Sequence, residues 1–225
     1  PTKRRILEWC CGPDSKIGNH PCTRRGCEVL RITEKEDATR EATVKQAKAF
    51  VVQPRCLLFS SMPCTGGSPW QRINVKKPGG YANLRRHRKL FNALWENFEI
   101  VARHAHAAGN FVAIEWPKGC SYWLLPKVKK CCADLGLESV DFHGCMFGLK
   151  SVYNGKLIMK PWRIFTNSPE LLKGFQGHTC CGHGEHAPGA GKDTKLTENY
   201  TDSMFDLIHK CWKKQASKPD TSTTA

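Results

Sequence analysis

The chain has 225 residues, 40% hydrophobic and 24% charged, and its 35 Lys and Arg against 20 Asp and Glu give a formal net charge of +15. These proportions are ordinary for a soluble globular protein, and the length suffices for one sizeable α/β domain or one domain with a small appendix. No run approaches the roughly 18–20 consecutive apolar residues of a membrane span, and the positive excess favours a polyanionic partner, nucleic acid before an anionic membrane.

The opening stretch PTKRRILEW passes from a basic cluster straight into a strand-like run, with neither an apolar h-region nor a small-residue cleavage site, so no secretory signal is expected. A first residue that is Pro and not Met suggests a piece of something longer, such as a polyprotein. Thirteen cysteines is an odd count in a long chain, unlike a secreted disulfide framework. They are expected as reduced thiols in an intracellular compartment, nucleus or cytoplasm.

RRILEWC (4–10) is expected as a first buried strand, ended by CGPDSKIG. CEVLRIT (27–33) is a second strand, DATREATVKQAKAFVV (37–52) a helix and RCLLFSS (55–61) a third strand. A long amphipathic helix follows over 83–109, with Leu90, Phe91, Leu94, Phe98 and Val101 at three- and four-residue spacing and Gly109 as its C-terminal cap. NFVAIEWP (110–117) is a strand stopped by Pro117, and 121–136 is a helix that tolerates Pro126 if it starts near Leu125. The stretches 138–148 and 157–167 form an antiparallel pair turning around Asn154-Gly155.

Strands alternating with helices, and carrying continuous apolar runs, make the fold α/β: a mainly parallel, Rossmann-like sheet with helices on both faces and an antiparallel edge hairpin. Residues 1–167 form the core, 168–199 a loop-rich His/Cys insert, 200–214 a closing helix and 215–225 a disordered tail.

In open α/β sheets, ligands sit beyond the carboxyl ends of the strands, and the turn after the first strand is the usual cofactor cradle. Here that turn is EWCCGPDSKIG, where Gly12 permits a tight bend and Asp14 or Ser15 can cap the following helix. Glu34, after the second strand, is either a ribose-binding acid or a surface acid, and Asp37 is a second candidate. Cys64 follows the third strand in MPCTGGS, as either a small buried filler or a nucleophile.

PCTGGS (63–68) resembles the Pro-Cys-x-Gly-x-Ser signature of the cytosine C5-methyltransferases, and Glu115 in IEWP stands where that family has the Glu of its Glu-Asn-Val motif. The resemblance covers residues 4–167. It implies a class I methyltransferase fold that uses S-adenosylmethionine to methylate carbon 5 of cytosine in DNA or RNA, with DNA slightly preferred. It further implies that Cys64 adds to carbon 6, that Glu115 binds ring N3 and the amino group, and that Arg163 in KPWRIFTN anchors the flipped base. Those residue types suit the task, because a thiolate is a strong soft nucleophile and a carboxyl can drain the developing charge. Glu8, Cys10, Gly12, Ser15, Gly18, Glu34, Asp37 and Pro63 would line the cofactor. The chain departs from the family in three places. WCCGPDSKIG replaces Phe-x-Gly-x-Gly, Trp-Pro replaces Asn-Val, and one strand–helix unit instead of two precedes Cys64, so an edge strand is expected to be missing.

No acid lies between Gln71 and Leu94, whereas Arg72, Lys76, Lys77, Arg85, Arg86, Arg88 and Lys89 are basic. With Ser68 and Trp70 they are candidates for contact with nucleic acid, the alternatives being a solvated helix face and a core Trp. In the insert, Cys180, His183 and His186 offer three zinc ligands, with His143 or Cys145 as a fourth; Cys145 is preferred, for a structural zinc. The insert also stands where the family keeps its target-recognition region. His20, Cys22 and Cys27 are a weaker cluster. Two other functions fit the same residues: a non-catalytic nucleic-acid-binding module on a decayed methyltransferase fold, and methylation of a different atom with Cys64 merely packed.

Overall fold

The apolar runs fold as β1 (Arg4–Trp9), β2 (Cys27–Ile32), β3 (Cys56–Ser60), β4 (Phe111–Pro117), β5 (Glu138–His143) and β6 (Pro161–Thr166) in a computed structural model that describes residues 3–19, 26–197 and 200–218. They form one mixed sheet in the order β2-β1-β3-β4-β6-β5. β1 pairs in parallel with β2 and β3, β3 pairs in parallel with β4, and β6 runs antiparallel between β4 and β5. Among the described residues β2 is an edge, as the single strand–helix unit before Cys64 predicts. Strand order reverses between β1 and β3, and ligands of open α/β sheets bind outside the carboxyl ends of strands at such a point.

Side chains alternate across the strands and feed two cores. On one face Leu7, Trp9, Leu58, Val112, Ile114 and Trp116 pack against α2 (Glu41–Val51), α4 (Gly80–Ala107) and α5 (Pro126–Asp134). On the other face Ile6, Leu57, Phe59, Ala113, Trp162 and Ile164 pack against α1 (Lys16–Asn19), α6 (Pro169–Phe175) and α8 (Asp202–Ala216). The short helices α3 (Gln71–Asn74) and α7 (Lys192–Leu196) lie in the connections. No described helix is long and apolar enough to cross a membrane. The described cysteines are all free thiols.

Several boundaries differ from the sequence reading. α4 begins at Gly80, and its buried stripe is Leu84, Phe91, Leu94, Trp95, Phe98, Val101, Ala102 and Ala105, with Leu90 left exposed. Gly109 has φ +73° and donates to His106, as a C-terminal cap should. The start of the supposed insert is core: in α6, Leu171 and Phe175 are buried, and Ser168 caps the helix by accepting from the Leu171 N–H. The last helix runs to Ala216, where Gln215 is buried and accepts from Ser168 Oγ and the Glu170 N–H, so the tail starts later than 215. His20 and Cys22 lie outside the described residues, and Cys27 is buried core.

Candidate active site

Two carboxyl groups are buried at the carboxyl ends of parallel strands, Glu8 on β1 at 3% exposure and Glu115 on β4 at 5%. Alternation places both on the α8 face, in step with Ile6 and Ala113. Tyr200, just ahead of α8, donates its phenolic hydrogen to Oε2 of Glu115, and its oxygen lies 2.6 Å from Ser61 Oγ. Phe59, Trp162 and Phe205 ring the phenol at centroid distances of 6.1, 6.2 and 5.6 Å. Burial pushes the Glu115 carboxyl up to about 7, against the opposing pull of the Tyr200 hydrogen bond and the Lys160 charge. Burial likewise raises the Tyr200 hydroxyl well above its ordinary value, so it stays a donor.

Glu8 repeats the pattern. Ser15 donates to its Oε1, and burial pushes the carboxyl up to about 7 while Ser15, Arg31 and the Gly18 N–H draw it down. Among the described residues, the buried oxygens Glu8 Oε2 and Glu115 Oε1 have no hydrogen-bond partner. Buried polar atoms are ordinarily paired, so these two oxygens are acceptors left unused at the same rim of the sheet. An acid with a pKa near 7 is divided between its two forms at neutrality and can donate or accept there.

Beyond β3 the chain runs through Pro63 to Cys64, which leads into a 3₁₀ turn over Thr65–Gly67. The glycines of this turn are steric requirements. A Cβ on Gly66 would lie 2.3 Å from Tyr122 Oη, and one on Gly67 would lie 2.7 Å from Cys120 Sγ. Cys64 is half-buried and packs on the α4 side of the rim, whereas the Glu115 carboxyl belongs to the α8 side. Cys120 is within charge range of both: burial first, then Cys64 and Glu115, push its thiol up to about 12. The Indole N–H of Trp116 donates to the Met62 carbonyl at 2.8 Å and ties the loop to β4.

The remaining sequence candidates divide. Arg163 sits opposite Trp116 on the α4 face and grips Asp141 through two hydrogen bonds of 2.6 and 2.9 Å, with Lys118 3.0 Å from the same carboxylate. It is therefore a paired side chain on the sheet face away from Glu115. Gly12 has no positive φ; Cys10, at φ +59°, takes the left-handed position in the first turn, and Ser15 serves Glu8. Asp37, at φ +55°, is engaged by the Thr39 N–H at 3.0 Å and by Arg40 at 3.3 Å, while Glu34 is exposed beyond β2. Gly18 approaches the Arg31 side chain so closely that a Cβ would lie 2.8 Å from its Cδ.

Arg72, Lys76, Lys77, Arg85, Arg86, Arg88 and Lys89 are all exposed. Trp70 is exposed too, at 52%, and so is Tyr81, at 66%. The start of α4 abuts the Cys64 loop, with a Cβ on Gly66 falling 3.3 Å from Arg88 Cγ. The ligand atoms of Cys145, Cys180, His183 and His186 lie within 4.8 Å of one another. Sequence reasoning missed Tyr200, Ser61 and Cys120, none of which stands in a motif. Neither a family model nor a curated protein matches the chain.

Proposed function

We propose that this protein transfers a methyl group from S-adenosylmethionine to carbon 5 of cytosine in a nucleic acid, on a class I methyltransferase fold. The reading rests on one observation above all: adjacent strands β3 and β4 carry the Cys64 loop and the buried Glu115 to the same rim of the sheet. A strand order with its reversal at β1 and a closing antiparallel hairpin is in keeping with that fold. The residues also fit the donor. The orphaned Glu8 Oε2 offers an acceptor to an ammonium or hydroxyl group beside the first turn, and Glu34 is exposed where a ribose diol would be met. When bound, that donor supplies an electrophilic methyl group on a sulfonium centre.

The chain's own residues would then act as follows. The Cys64 thiolate adds to carbon 6, forming a C–S bond and moving electron density toward carbon 5. Tyr200 occupies Oε2 of Glu115 as a donor, so the proton of the neutral acid belongs on Oε1, the oxygen without a partner. From there it is donated to ring N3, offsetting the charge that develops. After carbon 5 has gained the methyl group and lost its proton to water, the C–S bond breaks, Cys64 leaves as thiolate and ring N3 returns its proton to Oε1 of Glu115. The exposed cations from Arg72 to Lys89 hold the phosphate backbone, and a duplex target has its base flipped to reach the rim.

A second reading, a nucleic-acid-binding module without catalysis, draws on the packing of Cys64 and the Glu115 carboxyl on opposite sides of the rim. Incubation with methyl-labelled S-adenosylmethionine and cytosine-containing DNA or RNA, followed by nucleoside analysis, decides between them. Label in 5-methylcytosine that Cys64→Ser abolishes supports methylation. Label on another atom, transfer that survives Cys64→Ser, or tight oligonucleotide binding with no transfer overturns it.

A further inference from the structure

The carboxyl-end rim continues past β4 to β5, which runs parallel to β4 because both are antiparallel to β6. At its end the chain enters a 3₁₀ turn over Gly144–Phe147 that carries Cys145, buried at 5% exposure. From α6 the strap over 176–191 passes this turn and brings up Cys180, His183 and His186. Cys180 Sγ and His186 Nε2 are 3.6 Å apart, and the rings of His183 and His186 are 5.2 Å apart between centroids.

We propose that Cys145, Cys180, His183 and His186 bind a structural zinc ion that clips this strap to the end of β5. Zinc bonds of about 2.0–2.1 Å to nitrogen and 2.3 Å to sulfur place tetrahedral ligand atoms about 3.3–3.8 Å from one another. The 3.6 Å sulfur–nitrogen separation falls inside that window, and the 4.8 Å limit on the whole set leaves little movement to close it. Two thiolates and two imidazoles suit zinc and disfavour magnesium or calcium, which take oxygen ligands. Four protein ligands close the coordination shell, which makes the site structural. His143 is a further imidazole nearby, and its Nδ1 accepts from the Cys180 N–H at 2.9 Å, which orients the ligand loop.

The strap needs such a clip. Gly177, Gly182, Gly184, Gly189 and Gly191 all have positive φ, and glycine-rich backbone loses more conformational entropy on ordering than other sequence does. Downstream, Asp193 accepts from Ser151 Oγ at 2.7 Å and from the Val152 N–H at 2.8 Å, fixing the strap to the β5–β6 hairpin before the chain reaches Tyr200. The metal would thus hold one end of a segment whose other end contacts Glu115. The inference does not depend on the methylation chemistry.

The test is metal analysis of the intact chain purified without chelator, followed by replacement of zinc with cobalt(II). One equivalent of zinc, and a cobalt form with tetrahedral visible absorption and a thiolate-to-metal charge-transfer band, are expected. Cys180→Ser and His186→Ala should lose the metal, and Cys181→Ser, which alters the neighbouring exposed thiol, should keep it. Chelation should accelerate protease cleavage within 176–191 by on the order of 10-fold, because local opening then lacks the clip. A chain that neither retains nor takes up zinc, a cobalt spectrum without the thiolate band, or undiminished binding in Cys180→Ser overturns the site. The cobalt spectrum of the unaltered chain remains decisive if a ligand variant fails to fold.

Discussion

Tyr200 donates its phenolic hydrogen to the buried carboxyl of Glu115, 85 residues earlier in the chain, and is itself 2.6 Å from Ser61 Oγ. The bond joins the segment before α8 to the ends of β3 and β4. It also decides which oxygen of Glu115 is left without a hydrogen-bond partner among the described residues. Tyr200→Phe removes that donor and leaves a second buried carboxyl oxygen unpaired, at a cost of about 1–3 kcal/mol. Because the hydrogen bond holds the carboxyl down, its loss should raise the Glu115 pKa further. Urea unfolding reads the first effect. An alkaline shift in the pH profile of the proposed methyl transfer reads the second.

Glu8 and Glu115 also set a pH dependence. Each carboxyl moves from an ordinary 4.5 to about 7 in the folded protein. Between those values the folded state binds more protons than the unfolded chain does, so stability falls as pH rises from 4.5 to 7. At about 1.4 kcal/mol per unit, the loss is on the order of 3 kcal/mol for each group. Glu8→Gln and Glu115→Gln should each flatten the slope in that window, as measured by unfolding free energy at a series of pH values. A slope unchanged in both variants would show that the carboxyls titrate normally.

The Cys64 loop has no room for a side chain at its second glycine. A Cβ on Gly67 meets Cys120 Sγ at 2.7 Å and the Tyr122 ring at 2.9 Å, and Tyr122 is stacked on Phe91 at 3.7 Å between centroids. The ring therefore has no easy retreat. Gly67→Ala should destabilise the fold by about 1–3 kcal/mol and displace the loop that carries Cys64. Thermal unfolding together with the rate of Cys64 alkylation checks both consequences.

Removal of the exposed cations Arg72, Lys76 and Lys77 together, as alanines, should weaken oligonucleotide binding about equally across sequences. Each lost phosphate contact should lower the slope of log affinity against log salt by about 0.7–0.9. Titrations at several salt concentrations give the slope. A reduction that appears only for certain sequences would assign these residues to base contact instead.

Much of the frame could be read from sequence because apolar runs such as LLFS and FVAI are continuous, as strands covered on both faces must be. The Cys145, Cys180, His183 and His186 grouping was legible for a different reason: few residue types cluster as ligands do. Arg163 was not, because alternation along PWRIFT shows that Arg163 and Ile164 face opposite ways without showing which way is inward. Pairing to Trp116 settles it, and that information lies in the register. α6 had a local signal, Ser168 followed by Pro169 and Glu170, which the surrounding Gly, His and Cys content obscured. Tyr200 had none. Its role comes from a tertiary contact that no spacing encodes.

The most direct test of the chemistry uses an oligonucleotide containing 5-fluorocytosine together with S-adenosylmethionine. Fluorine at carbon 5 cannot be lost as a proton, so the C–S bond formed at carbon 6 has no route to break after methyl transfer. Mass spectrometry of the intact chain and of its peptides should find the oligonucleotide joined to Cys64, and no adduct in Cys64→Ser. Methylation of ordinary cytosine without any trapped adduct, or an adduct that persists in Cys64→Ser, would contradict the account.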